Sequence, residues 1–110
     1  MGLNITTLKE VTVVELRGDL DGKTAPAIQE QVLPLAKDEC KLILDMSRVE
    51  YMSSAGLRML LAVRRQVPIN GQVILVDLPE AIRETMTITG FLDFFTTCAT
   101  TTEAIQAMQK

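Results

Sequence analysis

The residues best placed to do chemistry in this chain lie in one segment, Asp45-Met46-Ser47-Arg48-Val49-Glu50-Tyr51-Met52-Ser53-Ser54-Ala55-Gly56-Leu57-Arg58. Its spacing puts a carboxylate, Asp45, at a strand end, then a short loop, then two hydroxyls, Ser53 and Ser54, at the start of a helical pattern. A helix N-terminus offers unpaired backbone N–H groups and the positive end of the helix dipole, so it accommodates negative charge. Ala55 and Gly56 are small and leave the hydroxyls accessible. A serine in this position can receive a phosphoryl group without unfolding the helix. The simpler reading of a serine before a helix is an N-cap, and position alone favours it for Ser53 and Ser54. On the same reading Asp45 satisfies loop amides, and Arg58, Arg64 and Arg65 occupy a solvated helix face. Arg58 sits in the first turn, where the dipole disfavours a cation, which leaves a carboxylate or partner contact open for it.

What is missing narrows the chemistry further. The chain has no histidine, which removes Ser–His–Asp and Cys–His pairs, imidazole bases and every histidine-containing metal site. Cys40 and Cys98 are far apart, without the C-x-x-C spacing of redox or zinc motifs, and read as two buried thiols in a reducing compartment. No cofactor and no metal are expected. The 110 residues, 47% apolar and 23% charged, suit one soluble domain spanning 1–110. A net charge of −3 repels phosphate backbones and anionic lipid, so neither nucleic acid nor membrane is expected as a partner. The longest uncharged stretch, Gln66 to Val76, is well short of the about 20 apolar residues of a membrane span. The start, MGLNITTLKE, lacks the basic and apolar regions of a secretory leader, so a cytoplasmic location is expected; the isolated domain is expected to be a soluble monomer.

The elements that position the serines follow from the apolar pattern. Val11 to Arg17 is a β-branched run ending at Gly18, and residues 3–8 form a weaker strand joined to it through Lys9-Glu10. Thr24 is the expected N-cap of a helix carrying Pro26, Ile28, Val32 and Leu35, which Pro34 kinks or ends near Leu33. Lys41 to Met46 and Gln72 to Asp77 have consecutive apolar residues, the pattern of parallel strands covered on both faces. Leu57, Leu60, Leu61 and Arg64 share one side of the helix after the first. Pro79 opens the helix after the second, which runs through Ile82 and Met86 to about Ile88 and stops at Gly90. Phe94 to Cys98 reads as the last strand, and Thr100 with Glu103 starts a final helix through Ile105 and Met108. Phe91, Leu92, Phe94 and Phe95 are expected in core and helix-end packing, ahead of a docking patch. The predicted class is α/β, a mixed sheet with parallel central strands and about four helices in the order β-β-α-β-α-β-α-β-α, with right-handed crossovers.

The segment from Asp45 to Leu57 resembles the signature of STAS domains, most closely the bacterial anti-sigma factor antagonists. These carry D-[apolar]-S-x-[apolar]-x-[apolar]-[apolar]-D-S-[small]-G-L after a buried strand. Gly18-Asp19-Leu20-Asp21 is similar to the family's G-x-L-D, and Ile88 to Phe95 resembles its T-G-L-x-x-x-F element. The resemblance covers nearly the whole chain. It places Ser54 on the family's phosphoacceptor and Ala55 on the small residue after it. Where many members have Asp before the modified serine, this chain has Ser53, which stands as a minor acceptor.

The resemblance implies a partner-switching protein that is not itself an enzyme. Unphosphorylated, it would bind an anti-sigma factor that is also a serine kinase; phosphorylation at Ser54 would end the complex, and a metal-dependent serine phosphatase would restore it. Asp21, Asp45, Ser53, Ser54, Ala55, Gly56 and Arg58 are the expected partner-binding residues. A phosphoserine beside Asp21 and Asp45 would repel by charge and block by bulk. The family also implies an alternative, a regulatory subunit outside sigma control, in a lipid-transport complex or beside a kinase or cyclase. An enzyme with a serine nucleophile is the remote third reading, because neither histidine nor a G-x-S-x-G elbow is present.

Overall fold

The computed structural model describes residues 2–109. The β-branched run forms β2 (Val11–Leu20), and β1 (Gly2–Leu8) lies antiparallel to it, with Leu8 opposite Val11 and Gly2 opposite Arg17. Their turn is Lys9-Glu10, both with positive φ (52° and 68°), the two-residue geometry whose twist matches that of the strands it joins. β3 (Lys41–Met52), β4 (Gln72–Val76) and β5 (Thr96–Cys98) add in parallel, giving one sheet in the order β1-β2-β3-β4-β5.

The consecutive apolar runs are explained by cover on both faces. Leu42, Leu44 and Met46 of β3 and Val73 and Leu75 of β4 pack under α1 (Ala25–Val32), α2 (Ser54–Gln66) and α3 (Glu80–Ile88). Ile43, Ile74 and Val76 point the other way and pack with Val11 against Ala104, Ile105 and Met108 of α4 (Thr101–Met108). Fully burying an aliphatic side chain of this kind stabilises by about 1.5–3 kcal/mol. The expected fold class is therefore present, with four α-helices among the described residues and the predicted element order. No described helix is long and apolar enough to cross a membrane.

Local signals act where the sequence places them. α1 stops at Val32 and Leu33–Leu35 tightens to a 3-10 turn around Pro34. Gly90 takes φ 81° just past α3, a left-handed position that disfavours any residue with a Cβ. Thr100 Oγ1 accepts the Glu103 amide at 3.1 Å and starts α4.

Five expectations change. β3 does not end near Met46 but continues through the segment expected as a loop, because β2 also runs on to Leu20 and pairs with it. Buried Val49 and Met52 anchor the extension, with register shifts between Glu15 and Arg17 and between Gly18 and Asp19. Thr24 stands at the expected N-cap position of α1, but its side chain makes no capping bond to the helix. β5 begins only at Thr96, since Phe91–Phe94 forms a 3-10 turn that leaves Phe94 59% exposed while Phe91, Leu92 and Phe95 pack partly on the core. Cys40 is buried but Cys98 is only half-buried, and both are free thiols. On α2 the buried face is Gly56, Leu57, Met59, Leu60 and Val63, which turns Leu61 partly outward and exposes Arg64, whose Nε donates to the Phe94 carbonyl at 3.1 Å.

Candidate functional site: the β3–α2 junction

Leu20 and Met52 end their strands as a parallel pair. One residue later the Ser53 amide donates to the Leu20 carbonyl at 2.9 Å, so the chain enters α2 already fixed against β2. Ser53 is extended (φ −90°, ψ 179°), and its Oγ accepts the Ala55 amide at 3.2 Å. The N-cap expected of this serine pair thus falls to Ser53. Ser54 is the first residue of the helix and is exposed.

Gly56 shows why the first turn must be small. A Cβ there would stand 2.6 Å from the Leu20 carbonyl oxygen and 2.7 Å from Met52 Cγ. The helix backbone rests directly on the ends of the two strands. Gly56 is itself buried, so it offers a partner no surface of its own; its contribution is the close approach that sets the height of Ser54 and Ala55.

The other side of the site is the β2–α1 connection. Asp21 Oδ1 accepts the amides of Lys23 at 2.9 Å and Thr24 at 3.1 Å, while Thr24 Oγ1 accepts the Asp21 amide at 3.0 Å and donates to the Asp19 carbonyl at 2.7 Å. The Asp21 side chain thus closes the turn that leads into α1, and its backbone carbonyl accepts the first α1 amide, that of Ala25, at 2.8 Å. Thr24 already has helical φ and ψ, so its hydroxyl turns back to close the loop. The amides of Lys23 and then Thr24, donating to the charged form, hold the Asp21 carboxyl below its ordinary value.

Asp45 is the expected site residue that the structure does not bring to the serines. Side chains alternate along β3, and Asp45 follows Leu44, which faces α1–α3, so Asp45 points to the α4 side. It lies opposite Glu15 of β2, five β2 residues before Leu20, or roughly 17 Å along the strand at about 3.3 Å per residue. Its Oδ1 accepts the Ser47 amide at 3.0 Å. Nearby on β2, Glu15 pairs with Arg17 at 2.8 Å and with Arg48 at 3.8 Å.

Two surface depressions lie on either side of the β2–α1 connection. A groove of about 340 Å³ runs between α1 and α2, walled by Ala25, Pro26 and Gln29 on one side and by Ala55, Arg58 and Met59 on the other. A hollow of about 330 Å³ lies over Asp19, Asp21, Lys23 and Glu50. The sequence reading missed Pro26, Gln29, Met59, Lys23 and Glu50 as part of this surface. Only the G-D-L-D run hinted at the second depression, because neither α1 nor β2 is near Ser54 in sequence.

The first turn of α2 holds no acidic residue that could serve as a base, and the chain has no histidine. Among the described residues, no three of His, Cys, Asp and Glu converge as metal donors.

Comparison with known proteins adds a third line. The STAS domain profile matches residues 3–104. The chain is 32% identical over 97 residues to BtrV of Bordetella bronchiseptica, named as an anti-sigma factor antagonist; the match spans 86% of this chain and 84% of that protein. It is 29% identical over 94 residues to an anti-sigma-B factor antagonist of Bacillus subtilis, over 84% of this chain and 86% of that one. The crystal structure of an anti-sigma factor antagonist from Mycobacterium paratuberculosis matches with a TM-score of 0.90 at 26% identity, covering 99% of this chain and 94% of that one.

Proposed function

The chain belongs to the STAS domain family, and we propose that within it the protein is an anti-sigma factor antagonist that works by partner switching. The observation that carries this reading is the placement of Ser54, exposed at the first residue of α2 and next to the wall of the α1–α2 groove. Unphosphorylated, the face formed by Ser53, Ser54, Ala55, Arg58 and the Asp21 loop docks an anti-sigma factor with serine kinase activity. That partner transfers the γ-phosphoryl of ATP to Ser54: the Oγ–P bond forms, the bond to the β-phosphate oxygen breaks, the hydroxyl proton leaves to solvent or a partner base, and ADP departs.

The product adds about −1.5 to −2 charge and three acceptor oxygens at the centre of the docking face. A metal-dependent serine phosphatase reverses the step by hydrolysis. The domain contributes a rigid platform and no catalysis. Its support for this role is physical: Ser53 already serves as the cap, so Ser54 can change charge without removing the bond that starts the helix.

Incubation with ATP and a purified anti-sigma kinase from the same genome, followed by site-localised mass spectrometry, tests the reading. One phosphate on Ser54, absent from Ser54→Ala, is expected. Phosphate confined to Ser53, or no phosphate with a kinase that is active on its own antagonist, would overturn it.

A further inference from the structure

Arg58 is the fifth residue of α2, just past the first turn where it was expected, so the helix dipole bears on it only weakly; that first turn holds no acidic residue to pair with it. Among the described residues the ion pairs are Glu15 with Arg17 and Glu15 with Arg48, and Arg58 takes part in neither. It is exposed and forms part of the α2 wall of the groove, beside Ala55 and Met59.

We propose that Arg58 is the intramolecular receiver of a phosphate carried on Ser54, closing a bidentate ion pair across one helical turn and withdrawing its guanidinium from the α1–α2 groove. The proposal rests on the reading of Ser54 as the phosphorylated residue and adds what the domain does with the phosphate.

Three features of the geometry support it. Ser54 and Arg58 are spaced i and i+4 on α2, which sets their Cβ atoms about 5–6 Å apart on one face. Helical side chains lean toward the N-terminus, so the Arg58 guanidinium is able to swing from the groove over the turn that begins with Ser54. The anion precedes the cation, the favourable order for such a pair. A planar guanidinium can meet two phosphate oxygens at once, as a lysine ammonium cannot.

The surrounding charges do not offer an equivalent partner. Across the neighbouring hollow stand Asp19, Asp21 and Glu50, which repel a phosphate, with Lys23 the one cation among them. From α1 the groove presents Pro26 and Gln29, both uncharged. Phosphorylation therefore changes the docking face twice. It adds negative charge at Ser54 and removes positive charge from the groove, so a partner that recognises both positions loses both.

The test uses phosphoserine genetically encoded at position 54 of the whole chain, which takes the kinase out of the experiment. Phosphorus NMR then reads the second ionisation of the phosphate, near pH 6 in an unperturbed phosphoserine. An opposite charge favours the dianion, so the pairing predicts a midpoint about 0.3–1 unit lower in the wild-type background than in Arg58→Gln. Arg58→Lys should recover part of that shift. Coincident titration curves for the wild-type and Arg58→Gln backgrounds, with both folded by their amide spectra, would overturn the pairing. Failure of a kinase to label Ser54 bears instead on the proposed function, so the two results stay separable.

Discussion

The carbonyl of Leu20 accepts the amide of Ser53 at 2.9 Å, and through that bond the end of β2 holds the start of α2. The phosphoacceptor candidate is thereby seated on two parallel strand ends instead of on a free loop. Rigid placement suits a surface that must be recognised before and after a small chemical change, because the change is then read locally. The groove walls, the Asp21 loop and Ser54 all take their positions from this junction.

Gly56→Ala should damage the junction directly. The added methyl would meet the Leu20 carbonyl and Met52 Cγ at distances that require backbone movement. A loss of about 1–3 kcal/mol is expected from overpacking, even though alanine is the better helix former by nearly 1 kcal/mol. Urea unfolding of the two proteins measures it. A variant as stable as the parent would mean that α2 can lift off the strand ends without cost.

The two serines should separate by role. Ser53→Ala removes the side-chain acceptor of the Ala55 amide and should cost about 0.5–2 kcal/mol of stability. Ser54→Ala should leave stability nearly unchanged. Ser54→Asp places a carboxylate at the dipole's positive end, a gain of about 0.3–1 kcal/mol, and should weaken binding to the kinase partner while Ser54→Ala keeps most of the affinity. Thermal unfolding and calorimetric titration of the three variants decide this, and equal affinities for the alanine and aspartate proteins would argue against local switching.

Asp21 carries a pH signature with a definite sign. Its carboxyl is held below the ordinary value by the Lys23 and Thr24 amides, so its folded pKa lies below its unfolded one. The stabilisation is complete above about pH 4 and is lost as pH falls through the folded value. Wild type should exceed Asp21→Asn in stability at neutral pH, and the gap should narrow on acidification below about pH 4. Urea midpoints at pH 7 and at pH 2.5 give the comparison; a gap that widened with acid would contradict its hold on the turn amides.

Asp45 and Asp21 should differ in partner binding. Asp45 faces the α4 side of the sheet, whereas Asp21 borders the serine turn. Asp45→Asn is expected to leave affinity for the kinase partner within about two-fold, since surface changes away from a contact are usually worth less than 0.5 kcal/mol. Asp21→Asn should change it more. A larger effect from Asp45 in a surface-binding assay would place the docking face on the other side of the sheet.

The sequence by itself determined what depends on neighbours within a few residues. The Lys9-Glu10 hairpin, the stop at Pro34, the Gly90 terminus, the Thr100 cap and the buried parallel strands are all written in local residue types, whereas the D-M-S…S-S-A-G-L run singled out Ser54 only through its resemblance to the STAS signature. Tertiary structure decided the rest. Whether residues 47–52 form loop or strand depended on β2 continuing alongside them, and Asp45's distance from Ser54 follows from that extension. Which side Asp45 faces depended on which helices cover each side of the sheet. That the Thr24 hydroxyl turns back to the Asp19 carbonyl while Asp21 holds the turn amides depended on where the β2 end delivers the chain. Gly56 looked like a residue that merely left hydroxyls open; only the approach of Leu20, thirty-six positions earlier, gives its missing side chain a physical cause. Strand pairing and backbone contact join residues distant in sequence, and no local pattern encodes which side of a sheet a given neighbour will occupy.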